Sequence, residues 1–472
     1  MKLILYARSL QNELFGKLGL KLISRGYYVI FITNTIIEEN KLSKIVGHQK
    51  IFVLERYLAE NWNNFELLSS ISFSEIEMEY NISSIWSLIY TDRHLTQLNT
   101  EDAIKCAKLI ISFILIVLKQ SNASYFINEE IANFPAYLFY ELGKKVGTKF
   151  LGICVPRNFS DSKIAFTDNN HSTYYDLNNC YHNRKISEEK LEQAKNFVDS
   201  FREHRSAPEY MKISGKYPKF KINYLFHLLK YLIAIIGKHE TLKKASFDFE
   251  RFAEKPHKKV AEFRNYLKFK FQKKYYNYHI NNQKYLLFPL HFQPEATTLV
   301  LAQNYEKQLN AIDLIAKKIP GEYMLYVKEH YARLGHREIG FYKAIRKYPN
   351  VLLINPLMNI HDLIIKSEGV ITLSGTAGWE AILWSKPVFL LGNVFYESFK
   401  YIIKIENINE LTSAIKNTDF SFYKSEIYQH ELNKYVACYL QSLKNGNYLL
   451  GSADYLTENN VENLCISILN EL

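Results

Sequence analysis

Three polar clusters, each behind a short apolar run, constrain this chain more than any other feature. They fall within Phe288–Gly392. The first is Phe288-Pro289-Leu290-His291-Phe292-Gln293-Pro294-Glu295-Ala296-Thr297-Thr298, the second Tyr326-Val327-Lys328-Glu329-His330. The third runs from Val370 through Ser374-Gly375-Thr376-Ala377-Gly378-Trp379-Glu380-Ala381. Tyr285–Pro289, Tyr323–Val327 and Gly369–Leu373 read as short buried strands. Helical patterns separate them, Tyr305–Lys318 being the clearest. Alternating strand and helix implies a parallel sheet with crossover helices. Strand C-terminal ends in such a sheet open onto a ligand crevice. All three clusters are therefore expected on one rim.

The third cluster suits an anion. Small residues let the backbone approach a ligand, and Ser374, Gly375 and Thr376 precede a predicted helix, Trp379–Trp384. Its alternative reading is a plain helix cap, with Ser374 or Thr376 as N-cap. Glu380 reads as a first-turn residue that could accept from a sugar hydroxyl, or serve the helix dipole. Lys328 and His330 follow a strand and can donate to an anion. Glu295, at another strand end, could be a nucleophile, a base or a helix N-terminal acid.

These clusters resemble the bacterial capsule polysaccharide synthesis family, which includes β-Kdo transferases, over roughly residues 285–396. Pro289–Glu295, Lys328–His330 and Ser374–Ala381 followed by Lys386-Pro387 carry the resemblance. It implies an α/β fold of the GT-B type, with two Rossmann-like domains facing across a cleft, a helical insert and C-terminal crossing helices. It also implies a CMP-activated acidic sugar and no cofactor or metal. His291 and Gln293 join the donor-binding set by this match, and Asn393 and Tyr396 fall in an aromatic segment near the sugar nucleotide. The family usually has proline where this chain has Tyr331, and β-Kdo transferases have Asp where it has Glu295.

At 472 residues the chain exceeds a single core. The boundaries expected are 1–160 for an acceptor domain and 161–280 for a loop and basic helical linker. A nucleotide-sugar domain follows at 281–420, with helices over 421–472 returning to the first domain. The composition, 47% hydrophobic and 23% charged, is globular. Five scattered cysteines suggest neither a zinc site nor a disulfide framework, which fits a reducing cytoplasm. Met1–Ala7 reads as a strand rather than a signal peptide.

The formal charge of +11 fits an anionic partner. No zinc-finger, RRM-like or helix-turn-helix signature favours nucleic acid. Arg251–Lys274 carries nine Lys/Arg against two Glu, interleaved with aromatics. That pattern fits an anionic membrane surface, and equally a solvated helix.

Lys2–Tyr6, Leu10–Ser24 and Tyr27–Thr33 read as a βαβ opening. Tyr125–Ile127 ends at Glu129-Glu130, a pair in which a half-buried carboxylate would have a raised pKa. The resemblance makes this pair the candidate base for an acceptor hydroxyl. Arg157, past the strand Phe150–Val155, could meet an acidic group. Asn158–Asn183 reads as an exposed loop. The expected activity is transfer of Kdo or a related ulosonic acid from a CMP-sugar to a saccharide or lipid-linked acceptor, at the inner face of the cytoplasmic membrane. The alternatives are an enzyme of UDP- or GDP-sugars and a non-enzymatic assembly or export factor.

Overall fold

The computed structural model describes residues 1–157, 162–205, 255–280, 282–330 and 333–472. These form two compact units, Met1–Tyr175 with Leu443–Leu472, and Lys255–Ser442 with residues 176–205. Both are α/β and Rossmann-like, each built on a largely parallel sheet. Among the described residues no helix is long and apolar enough to cross a membrane.

The first unit holds β1 (Lys2–Tyr6), β2 (Tyr28–Thr33), β3 (Ile51–Val53), β4 (Tyr125–Glu129), β5 (Lys149–Cys154) and β6 (Lys163–Thr167). Across the sheet the order is β6-β5-β4-β1-β2-β3, with Lys444–Asn445 beside β6. β1 to β5 run parallel, and β6 is antiparallel to β5. The chain builds outward from β1 to β3, then returns to the other side of β1. The topological switch point therefore lies between β1 and β4.

The Asn12–Ser24 helix buries Leu14, Leu18 and Leu22 against this sheet. The C-terminal Glu458–Leu469 helix adds Val461, Leu464 and Ile468 to the same core. Its outer face is tied by the ion pairs of Glu462 with Lys21 and Arg25. The preceding helix, Glu426–Ser442, belongs to the second unit, where it lies against Glu188–His204.

Within the predicted loop, residues 162–183 are more ordered than their polar composition implies. They contain β6, whose Ile164, Ala165 and Phe166 are buried, and a Tyr175–Asn183 helix. Three apolar residues suffice for an edge strand, too short a run to outweigh the surrounding Asn and Asp. The segments read as helical over 217–239 and at 247–254 lie outside the described residues. Lys255–Gln272 is a helix whose Phe269 joins the second unit's core.

In the second unit the strands are β7 (Tyr285–Pro289), β8 (Met324–Lys328), β9 (Val351–Ile354), β10 (Gly369–Thr372), β11 (Val388–Leu390) and β12 (Ile402–Lys404). All pair in parallel, in the order β12-β11-β10-β7-β8-β9. Apart from the half-buried edge strand β12, they are mostly buried and read as largely apolar runs. Pro289 pairs with Lys328, and Lys328 with Ile354. The switch point lies between β7 and β10. Here the first and third clusters leave the sheet side by side.

Candidate functional site at the second switch point

The loop leaving β7 is held first by its backbone. Leu290 N donates to Lys328 O at 2.8 Å, extending the ladder by one rung. Gln308 clamps His291, accepting its N–H at 2.7 Å and donating to its carbonyl at 3.0 Å. The buried His291 ring reaches across the switch point, and its Nε2 accepts the Ser374 amide at 3.2 Å. An accepting Nε2 leaves the proton on Nδ1. That N–H has no partner among the described residues. Burial, with His330 and Arg337 nearby, lowers the His291 pKa to about 3, so the ring is neutral.

The loop leaving β10 meets it. Ser374 Oγ donates to Thr297 O at 2.6 Å, and Gly375 N donates to Thr372 Oγ1 at 3.1 Å. The helix begins earlier than the sequence implies, spanning Thr376–Leu383, with Gly375 as N-cap and no side-chain cap bond. Neither Ser374 nor Thr376 caps it. The first amides of a helix have no partner inside it, so this end keeps donors for an anion. Gly375 is required for space: a Cβ there would stand 3.0 Å from both His291 Nε2 and Thr372 Oγ1. A Cβ at Gly378 would land on the Tyr396 hydroxyl. That hydroxyl donates to Gly375 O at 2.6 Å, so the fully buried Tyr396 braces the helix start from behind.

The early helix start corrects the reading of Glu380. It lies in the second turn, is 3% exposed, and its charge acts on Lys328, so it is not a rim group open to a sugar. Lys328 ends β8 and donates to Pro356 O at 2.9 Å. Burial lowers its pKa to about 8, against the opposing pull of Glu329 and Glu380. Asn393 is also occupied, its Oδ1 accepting from Lys404 Nζ at 2.8 Å.

The second cluster is organised by a residue that the sequence reading passed over. Glu329 is wholly buried. Arg337 Nε and NH2 meet its Oε2 and Oε1 at 2.7 and 3.0 Å. Tyr342 Oη donates to Oε2 and the His330 amide to Oε1, each at 2.7 Å. Burial alone would raise this carboxyl's pKa, but Arg337 and these bonds hold it below the usual range. Arg337 also donates to Gln293 Oε1 at 2.9 Å and to His291 O at 3.0 Å. Gln293 donates in turn to Glu306 O. Gln293 is thus a strut of the loop.

His330 sets its ring edgewise against Phe292, 5.9 Å between centroids. Burial lowers its pKa to about 4, with Lys328 and the arginines adding to this and Glu329 opposing. The ring is therefore neutral near pH 7. Tyr331 lies outside the described residues. Glu295 is half-buried at the N-cap position of Ala296–Leu299, but its side chain makes no cap bond. Its charge acts on Arg333, whose guanidinium sits 5.1 Å above the Phe292 ring. Arg333 also escaped the sequence reading, as a lone cation three residues beyond the cluster.

Glu129, Glu130 and Arg157 belong to the first unit. Glu129, at the end of β4, is paired with Arg8 beyond β1 and accepts from Gln11 Nε2 at 2.8 Å. The neighbouring Glu130 differs. Burial raises its pKa, and Glu129 adds to this, against Arg157 and hydrogen bonds from Cys154 and Ser172.

Residues 248–430 match the family described as capsule polysaccharide biosynthesis protein. No curated protein matches the chain. Among solved structures, the β-Kdo 2,7 transferase of Thermosulfurimonas dismutans KpsC is 12% identical, covering 76% of this chain and 89% of its own, with a TM-score of 0.39. The β-Kdo 2,4 transferase of the same KpsC is 12% identical, covering 69% and 85%, with a TM-score of 0.37. The UDP-GlcNAc 2-epimerase of Methanocaldococcus jannaschii, in complex with UDP-GlcNAc and UDP, is 12% identical, with 100% of each chain covered and a TM-score of 0.28. Likeness at this level carries no weight for substrate or mechanism.

Proposed function

We propose that the chain, whose residues 248–430 match the capsule polysaccharide biosynthesis family, is a glycosyltransferase of capsule or other surface polysaccharide synthesis. Its donor in this reading is a CMP-activated ulosonic acid, Kdo or a relative, and its acceptor a saccharide or glycolipid. The supporting observation is the His291–Ser374 hydrogen bond. It joins two of the three resembling clusters at the switch point of one sheet, beside a helix start shaped by Gly375 and Gly378.

Each residue then has a role. The amides after Gly375 and the Thr376 hydroxyl hold the CMP phosphate, while Ser374, with both donors engaged, fixes the turn before them. Lys328 supplies positive charge beside the departing phosphate, and neutral His330 a hydrogen bond. A Glu295 oxygen bonds to the anomeric carbon as the bond to the CMP phosphate oxygen breaks, and CMP leaves with that electron pair. The acceptor hydroxyl then displaces Glu295, its proton passing to Glu130. Buried Glu329 and Arg337 keep the loops in place.

Association with the inner face of the cytoplasmic membrane belongs to the same proposal. The Lys255–Gln272 helix exposes Phe271 and Leu267 among Lys268, Lys270 and Lys273.

Thermal-shift titration with CMP, UDP and GDP tests the donor class. Stabilisation by CMP alone is expected. Stabilisation by UDP or GDP alone would transfer the site to another sugar-nucleotide enzyme. Salt-sensitive vesicle binding with no nucleotide effect would support an assembly factor instead.

A further inference from the structure

Arg333 is a cation left over at this rim. The nearest buried carboxylate cannot serve it. An ionised carboxylate has about four acceptor positions, and those of Glu329 are taken by Arg337 twice, by Tyr342 and by the His330 amide. Arg333 forms no salt bridge among the described residues, and its buried Nε has no hydrogen-bond partner there. Burial and the charge of Arg337 lower its pKa, outweighing the opposing charges of Glu329 and Glu295. Yet its position is fixed, because the guanidinium lies over Phe292 and its backbone N–H donates to His330 O at 2.9 Å.

Two other polar atoms, both on the segment after β7, are also buried and unpartnered: His291 Nδ1 and Thr297 Oγ1. Ser374 Oγ already bonds to Thr297 O, so these groups border the phosphate loop itself. The rim therefore offers a planar cation and neutral donors beyond those a phosphate on the helix start would use. Guanidinium planes pair with carboxylates through two parallel hydrogen bonds.

We infer that Arg333 grips the carboxylate of the sugar being transferred, and so selects an acidic monosaccharide over a neutral one. This rests on the CMP-ulosonic acid reading above. It adds a second anion subsite, supplied by the loop after β8, to the phosphate subsite at the helix start.

The test measures binding of CMP, of CMP-Kdo, and of CMP-Kdo with its sugar carboxylate converted to an amide, to the full chain and to Arg333→Gln and Arg333→Lys. Arg333→Gln should weaken CMP-Kdo about tenfold or more, as expected for losing a charge-assisted bidentate pair, and leave CMP within about twofold. Wild type should bind the amide about as weakly as Arg333→Gln binds CMP-Kdo. Arg333→Lys, which keeps the charge without the fork, should fall between. Equal losses for CMP and CMP-Kdo would assign Arg333 to the phosphate and overturn the inference, as would no loss for either. Failure of wild type to bind CMP at all would instead overturn the donor reading, and the inference with it. Unchanged melting temperatures show that the variants are folded.

Discussion

Arg337 meets Glu329 through two parallel hydrogen bonds, of 2.7 and 3.0 Å, with both side chains almost wholly buried. The pair binds the end of β8 to the His291–Gln293 loop. Removing one partner leaves an uncompensated buried charge, which costs about 3–5 kcal/mol. Arg337→Ala is therefore expected to lower the unfolding free energy of the second unit, read from urea titration, by that order. Replacing both residues with leucine should cost less than Arg337→Ala alone. A double variant as unstable as the single would mean that packing, rather than charge, sets the loss.

The helix start depends on a missing side chain. Gly378→Ala drives a methyl into the Tyr396 hydroxyl that holds Gly375 O. A loss of about 1–3 kcal/mol, with weakened nucleotide binding, is expected from such overpacking. Adding Tyr396→Phe should restore part of both by removing the clashing oxygen. Calorimetry with CMP on the wild type and the two variants checks this. Full binding by Gly378→Ala would detach this turn from the ligand.

These two devices show what the sequence could reveal. Three strands of the second sheet, β7, β8 and β10, were legible because a strand buried on both faces is a continuous apolar run, as in Tyr285–Pro289. Their shared rim followed from parallel connectivity. Arg337, Tyr342, Gln308 and Arg333 were not legible, since a polar residue in a loop carries no periodic signal and its partner is distant in sequence. One hint was available: Glu329 immediately follows a buried strand, and a buried carboxylate there requires a cation. Glu380 was misjudged for a simpler reason. The helix starts at Thr376 rather than Trp379, and a three-residue shift turns a rim carboxylate into a buried one.

Lys328 sets an alkaline limit. Its pKa is lowered to about 8, so the ammonium is charged below that pH and neutral above it. CMP affinity should hold from pH 6 to 7.5 and fall as pH rises through about 8. Lys328→Met should bind weakly with a flat profile over the same range. An unchanged wild-type affinity at pH 9.5 would remove Lys328 from phosphate binding.

His291 and His330 act at the acid side. Their pKa values are lowered to about 3 and about 4, against about 6.5 in an unfolded chain. Below about pH 6.5 the unfolded state takes up protons that the folded state resists. Their contribution to stability is therefore whole above pH 6.5 and is lost as pH falls towards 4 and then 3. Melting temperature should drop from pH 7 to 4.5, and less steeply in His291→Gln, whose amide oxygen can still accept from Ser374 N. An equally steep drop in that variant would place the acid sensitivity elsewhere.

Glu129 and Glu130 are expected to separate kinetically. Glu130→Gln should lower kcat by about 100-fold or more, the usual contribution of a general base. Glu129→Gln breaks the pairing with Arg8 and should act mainly on stability. Comparable kcat losses in both would indicate that the carboxylates work as one unit.

The most direct measurement is incubation of the protein with CMP-Kdo and, in parallel, UDP- and GDP-sugars, followed by intact-protein mass spectrometry and assay of released nucleotide. Release of CMP alone, with an added sugar mass that maps to Glu295 and is absent from Glu295→Gln, is the expected result. Consumption of only a UDP- or GDP-sugar, or CMP release undiminished in Glu295→Gln, would contradict it.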